Sequence, residues 1–211
     1  MDHPHPDQYQ DLRDALRELC RQYPDEYFRR IDAEDVYPEA FIDSLTEAGW
    51  LAAMIPEEYG GSGLGLAEAS VIMEEINRNG GNAGACHGQM YNMGTLLRHG
   101  SEEQKQTYLP RIATGELRLQ SMAVTEPSTG TDTTRTKTTA VRKGDRYIIN
   151  GQKVWTSRVQ HSDLMILLAR TTPLEKVERK SQGMSVFLVD LHEAIDNGIS
   201  VRPIKNMVNH E

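Results

Sequence analysis

The chain has no long apolar run, few cysteines and no excess of basic charge, and each lack closes off a class of function. Its longest apolar stretch near a strand, Leu164–Ala169, falls far short of the roughly 20 residues that cross a bilayer. The start, Met1-Asp2-His3-Pro4-His5-Pro6-Asp7, has neither a basic head nor an apolar core, so no secretory signal is expected. Only two cysteines occur, Cys20 and Cys86, far apart and in helix-like surroundings. Reduced thiols are expected there rather than a disulfide. A formal charge of −8 argues against a nucleic-acid groove or an anionic membrane as the main partner. A soluble, cytoplasmic protein is the expectation.

Several common site motifs are missing too. The seven histidines show no metal-ligand spacing. His3 and His5 sit near the start, while His87, His99, His161, His192 and His210 stand isolated. Neither cysteine has a ligand-spaced neighbour, so no metal site is expected. There is no G-x-S-x-G elbow for a serine hydrolase. Gly60-Gly61-Ser62-Gly63-Leu64-Gly65 lacks the third glycine of a dinucleotide fingerprint, a preceding strand and the lysine of a P-loop. It reads as a flexible connector between helices. No internal repeat or low-complexity tract appears.

What is present describes an ordinary globular chain: 211 residues, 38% hydrophobic and 26% charged, enough for one domain or two small ones with a real core. Tyr9, Leu12, Leu16 and Leu19 repeat at helical spacing, as do Phe41, Leu45 and Ala48 after Pro38, with Gly49 as a stop. Ala69, Ile72, Met73 and Ile76 form a third stripe, and Ala85–Arg98 a fourth helix. Ser101 with Gln104 makes a capping box for a short fifth helix halted near Pro110.

Near Glu116 the period changes to alternation. Thr134, Thr136, Thr138 and Ala140 fall on one strand face, with Arg135, Lys137, Thr139 and Val141 on the other. Gly144-Asp145 forms a hairpin loop into Arg146–Ile149. Leu164–Ala169, Met184–Asp190 and Ser200–Ile204 read as further strands. The fold class is α+β: an all-helical N-terminal domain over residues 1–115, then an antiparallel β domain over 116–211. The last strand signal is followed only by Lys205–Glu211, so the β domain is expected to be truncated.

Two segments carry chemistry. In Ala123–Asp132, AVTEPSTGTD, an apolar run breaks at a proline turn into small hydroxyl and glycine residues. Backbone N–H groups and short hydroxyls at such a strand end suit a planar heterocycle or a phosphate. In Gly151–Ser157, GQKVWTS, the indole of Trp155 precedes the hydroxyls of Thr156 and Ser157. Taken singly, the first is an ordinary strand end with local turn bonds, and Trp155 a core aromatic on a strand.

Taken together and in order, they resemble the flavin-binding signature of the acyl-CoA dehydrogenases. The likeness extends to Ile55-Pro56-Glu57-Glu58-Tyr59-Gly60-Gly61, His99-Gly100-Ser101-Glu102-Glu103-Gln104-Lys105, Thr125-Glu126-Pro127, Tyr147–Trp155 and Gly183-Met184-Ser185-Val186-Phe187. The resemblance implies FAD as cofactor and oxidation of an acyl-CoA thioester at Cα–Cβ to the enoyl-CoA. It places Met122, Ala123, Val124 and Thr125 at the pyrimidine end of the flavin. Thr131, where the family usually has serine, falls near the pyrophosphate and the pantetheine of the substrate, and Gly130 is implied as a further cofactor contact. Trp155 would flank the ring system, Thr156 is implied as a further cofactor contact, and Ser157 would hydrogen-bond flavin N5.

Glu126 reads as structural. The family's usual base is a glutamate of a C-terminal helical domain, expected to lie outside this chain, so no catalytic residue is assigned. The implied partners are the acyl-CoA, an electron-transfer flavoprotein or similar acceptor, and further copies in a tetramer or dimer. Two other readings stay open. One is a non-catalytic or split subunit acting by assembly; the other is an acyl-CoA oxidase or flavin monooxygenase of the same superfamily.

Overall fold

A computed structural model describes residues 9–195 and 197–205. His3, His5, His210 and the Met1–Asp7 start therefore lie outside the described residues, as does the chain past residue 205. Two compact units divide between Arg118 and Leu119.

The first unit is helical. Helix α1 (Gln10–Cys20) buries Arg13, Leu16 and Cys20 on one face, and α3 (Glu39–Glu47) buries Phe41, Ile42 and Leu45. Between them lies α2 (Asp25–Glu34), which buries no residue fully and whose weak apolar stripe gave no helix signal in the sequence. What anchors it is aromatic: Tyr23, Tyr27, Phe28 and Phe41 meet edge-on with ring centroids 5.0–5.2 Å apart, a geometry favoured by the ring quadrupoles. Helices α4 (Leu66–Arg78) and α5 (Gly84–His99) complete the core around Ile72, Ile76, Cys86 and Met90. Cys20 and Cys86 are both buried free thiols, and burial pushes the Cys86 thiol up to about 12.

Glu75, fully buried on α4, accepts from Arg13 Nη1 at 2.6 Å, Arg17 Nη2 at 2.9 Å and Arg17 Nε at 3.0 Å. Burial works against its charge, but the two guanidinium groups outweigh it and hold its pKa below the usual carboxylate range. The glycine-rich connector is fixed rather than flexible. Gly63 N donates to Ile55 O at 2.8 Å and Leu64 N to Ala53 O at 2.8 Å. A Cβ on Gly61 would lie 2.1 Å from Ile55 O. These N–H groups serve the fold's own carbonyls.

Helix α6 (Glu102–Ala113) opens on the expected capping box: Ser101 Oγ accepts from Gln104 N at 3.2 Å, and Gln104 Oε1 from Ser101 N at 2.9 Å. It does not stop at Pro110, which lies inside it. Proline removes one intrahelical bond and crowds the preceding turn, a cost of about 3 kcal/mol. Leu109 and Ile112 are wholly buried, each worth about 1.5–3 kcal/mol, and their burial holds the last turn in helical form.

The second unit is built on a five-stranded sheet of β1 (Ser121–Ala123), β2 (Thr139–Lys143), β3 (Arg146–Asn150), β4 (Leu164–Arg170) and β5 (Met184–Asp190), followed by the short α7 (Leu191–Ala194). The helical-then-β order is as expected. The strand directions are mixed rather than wholly antiparallel. β1 runs parallel to β4 (Ser121 opposite Met165, Ala123 opposite Leu167), and β2 meets β4 in parallel at Thr139 and Arg170. β2–β3 and β4–β5 are antiparallel. Period-two alternation reports a half-buried strand but not its direction. The Gly144-Asp145 hairpin forms, with Gly144 in the left-handed region at φ 65°.

Two strand expectations fail. The run from Thr134 to Val141 begins its ladder only at Thr139, because Thr133–Arg135 form a 3-10 turn capped by Asp132, whose carboxylate accepts from Thr134 N and Oγ1. The Lys137 and Thr138 N–H groups go to a carboxylate, Glu126, instead of a strand. Ser200–Ile204 forms no strand; Ile199 bridges Ile195 just after α7, and Val201 and Ile204 stay exposed.

Candidate functional site

The first segment leaves β1 with Ala123 turned into the sheet core among Met165, Leu167 and Ala169, so only its backbone can face a ligand. Met122, Val124 and Thr125 are half-buried. The chain then reverses tightly: Glu126 N donates to Thr129 O at 2.8 Å and Thr129 N to Glu126 O at 3.1 Å, with Pro127 at the corner as its fixed φ favours. The reversal brings Gly130 beside Thr125, where a Cβ would sit 3.7 Å from Thr125 Cγ2, and leaves Thr131 exposed.

The second segment starts where β3 ends. Gly151 passes so close to Thr138 that a Cβ would lie 2.2 Å from its Oγ1 and 2.7 Å from its Cα. Two bonds then tie this segment to the first: Val154 N donates to Thr125 O at 2.9 Å, and Lys153 Nζ to Val124 O at 3.0 Å. The pairing of the two motifs seen in sequence is thus a contact in the fold. Next come Trp155, 69% exposed, the half-buried Thr156 and the exposed Ser157. Trp155 is therefore not a core aromatic.

Trp155 and Arg158 both adopt the left-handed region, at φ 62° and 58°. Such conformations cost of order 1–3 kcal/mol for non-glycine residues and gather at functional sites. Arg158 is held there from behind, its carbonyl accepting from His161 N at 3.0 Å and Ser162 Oγ at 2.9 Å. Substituting Arg158→Gly removes the backbone penalty but loosens the unfolded chain. The expected net change is between zero and about 1 kcal/mol of stabilisation, read as the thermal midpoint, and a clear loss would show that the guanidinium makes stabilising contacts.

Behind both segments sits Glu126, 5% exposed. Its Oε1 accepts from Thr138 Oγ1 at 2.6 Å, Thr138 N at 2.9 Å and Lys153 Nζ at 2.9 Å, and its Oε2 from Lys137 N at 2.7 Å. Burial alone would raise its pKa. The Thr138 hydroxyl, the two backbone N–H groups and the Lys153 ammonium outweigh that and bring it down to about 2. A carboxylate so well satisfied is a poor proton acceptor at neutral pH. Glu126 is a strap joining the turn, the 136–138 stretch and the Lys153 segment. Arg170, also buried, anchors the neighbouring loops through Thr134 O at 2.7 Å and Gln182 O at 3.0 Å.

Of the residues singled out in sequence, the fold joins Val124, Thr125 and Gly130 to the start of the Trp155–Ser157 segment. The supporting Gly151, Lys153 and Thr138 went unassigned, although Asn150-Gly151-x-Lys153 signalled two of them. An exposed indole, backbone edges fixed by the strap, and accessible hydroxyls at Thr131 and Ser157 fit a flat, hydrogen-bonding heterocycle carrying phosphate. No helix among the described residues is long and apolar enough to cross a membrane.

Comparisons with known proteins identify the family of this chain. The family model "Acyl-CoA dehydrogenase, N-terminal domain" matches residues 6–116, and "Acyl-CoA dehydrogenase, middle domain" matches residues 121–210. The chain is 37% identical to acyl-CoA dehydrogenase FadE26 of Mycobacterium tuberculosis over 82% of its own length and 42% of the relative's. It is 34% identical to the mitochondrial isovaleryl-CoA dehydrogenase of Pongo abelii over 85% of its length and 43% of that protein's. Among solved structures, a chain of the ChsE4-ChsE5 complex from Mycobacterium tuberculosis superposes with a TM-score of 0.82 at 34% identity, covering all of this chain and 53% of that one. The chain thus spans about half the length of the relatives it matches.

Proposed function

The chain belongs to the acyl-CoA dehydrogenase family, and from that premise we propose that it holds FAD and serves the oxidation of an acyl-CoA thioester at Cα–Cβ. The observation that carries the reading is the junction in which Val154 and Lys153 bond to Thr125 and Val124. It sets the two motif segments side by side at the edge of β1. Bound FAD would supply the two-electron oxidant that accepts the β-hydrogen as hydride.

The chain's own part is to bind and orient. Backbone groups of Met122–Thr125 and the Thr125 hydroxyl would hold the pyrimidine end of FAD, and fixed donors there would act as an oxyanion hole does. Gly130 lies beside Thr125, and Thr131 would offer a hydroxyl to pyrophosphate or pantetheine. Trp155 would flank the ring system, Thr156 would be a further contact of the cofactor, and Ser157 would hydrogen-bond N5. The α-proton requires a carboxylate within reach, and the saturated Glu126 is not it. The partner for reoxidation would be an electron-transfer flavoprotein or similar acceptor.

The test is spectroscopic. The native protein that carries this sequence, purified from its source with FAD supplied, should be yellow, and its flavin band should bleach anaerobically on adding an acyl-CoA. A colourless protein defeats the reading, and fast reoxidation of the reduced flavin by oxygen moves it to the oxidases or monooxygenases. A second reading, assembly with a different chain of the family, draws on the likeness to a chain of the two-protein ChsE4-ChsE5 complex. Native mass of the source protein decides between homo- and hetero-oligomer.

A further inference from the structure

Lys153 and Glu126 bring opposite charges into a nearly dry place. Their side chains are 9% and 3% exposed, and Lys153 Nζ lies 2.9 Å from Glu126 Oε1. The same ammonium reaches forward to Val124 O at 3.0 Å, one residue from Thr125 and within the segment assigned to the electron-rich end of the ligand. Holding the strap together requires only a donor at residue 153 and an acceptor at 126. A full charge on each does more: either one left without its partner imposes a field at Val124–Thr125 that water screens poorly.

We infer that Glu126 and Lys153 are a charge-balanced positioning pair that keeps either charge alone from displacing the reduction potential of the flavin held along Met122–Thr125, a deduction that rests on the FAD reading above. As a pair the two charges nearly cancel. Glu126→Gln leaves the Lys153 cation uncompensated behind the pyrimidine edge. Negative charge gathering there on reduction is then favoured, and the potential rises. Lys153→Met leaves the Glu126 carboxylate uncompensated, and the potential falls. The double variant is neutral again and returns toward the parent value.

Opposite signs separate this role from a purely structural one, because loosening the strap disturbs the site in the same way whichever partner is lost. The experiment measures the midpoint potential of bound flavin in the purified holoprotein by equilibration with reference dyes. Each single variant should change the flavin's reduction equilibrium at least tenfold, about 30 mV for a two-electron couple, with opposite signs. Lys153→Arg, which keeps the charge, should stay near the parent. Thr138→Val, which removes one uncharged donor from Glu126, should also leave the potential in place.

Shifts of one sign in both single variants, or none, overturn the inference, as does a Thr138→Val shift matching theirs. If Glu126→Gln does not retain flavin, Lys153→Met alone decides: a fall supports the inference and an unchanged value overturns it. If neither single variant retains flavin, the double variant decides by whether it restores flavin binding near the parent potential. A parent protein that never takes up FAD defeats the flavin reading itself, whereas a yellow parent with unmoved variants defeats only this inference.

Discussion

Gly151→Ala should destabilise the sheet unit by about 3 kcal/mol and strip the site of its ligand, although it adds a single methyl group. The glycine is not required for its dihedral angles, since it is absent from the positive-φ residues. It is required for proximity. The new Cβ would stand 2.2 Å from Thr138 Oγ1, 2.6 Å from Thr138 Cβ and 2.7 Å from Thr138 Cα. A side-chain rotation at Thr138 relieves only the first contact; the others require backbone movement. The Thr138 backbone cannot move freely, because its N–H and hydroxyl are both bonded to Glu126. The displacement passes through that carboxylate to Lys153 and Val124. For a chain of this size the thermal midpoint should fall by roughly 6–12 °C, with flavin lost on gel filtration. A midpoint within a degree of the parent would mean that the two stretches part without cost and that the strap is not what fixes the site.

Glu126→Ala should be as damaging, at about 3–5 kcal/mol, because it leaves a buried ammonium and two buried N–H groups short of an acceptor. Its pH signature is distinctive. The Glu126 carboxyl is held at about 2 in the folded protein against an ordinary value of 4.5, so the folded state binds its proton less readily than the unfolded one. Its contribution, of order 3 kcal/mol, is fully present above about pH 4.5 and is lost as pH falls toward 2. Unfolding free energies of parent and Glu126→Gln, measured by denaturant titration across that window, should converge as pH falls. Parallel curves would show that Glu126 titrates normally and carries no such strap.

Most of the first unit is legible in its sequence because helix faces repeat every three to four residues. The stripe Ala69, Ile72, Met73 and Ile76 places α4 directly. Helix α2 escapes the same logic: its contacts are aromatic edges gathered from Tyr23 and Phe41 on either side, not a stripe of its own. Pro110 is misleading for a related reason, since a local helix breaker is overruled by the burial of Leu109 and Ile112.

In the second unit, alternation at Thr134–Val141 suggests a strand, yet the N–H groups of Lys137 and Thr138 are claimed by a carboxylate earlier in the chain. No local pattern reports that. The candidate site divides in the same way. Trp155, Ser157, Thr125 and Thr131 stand out by residue type. Gly151 and Lys153 are marked only as members of a family-like segment and Thr138 not at all; what the three do follows from approaches between separate stretches of the chain, which only the fold reveals.

Strand β4 has neighbours on both sides, β1 and β2 from earlier in the chain and β5 from later. That arrangement sets a timetable. During synthesis β1 leaves the ribosome well before its parallel partner exists, and Ser121–Ala123 must wait for Met165–Leu167 to emerge. The hairpin of β2 and β3 can close early, but the sheet that presents Val124 and Thr125 at its edge forms only once β4 is available. Long-range pairing of this kind is slow, whereas the helical unit ahead of it can consolidate while translation continues. The sheet edge at Val124–Thr125 is therefore among the last surfaces to be completed, and premature termination before Leu164 should yield a helical domain trailing an aggregation-prone, half-formed sheet.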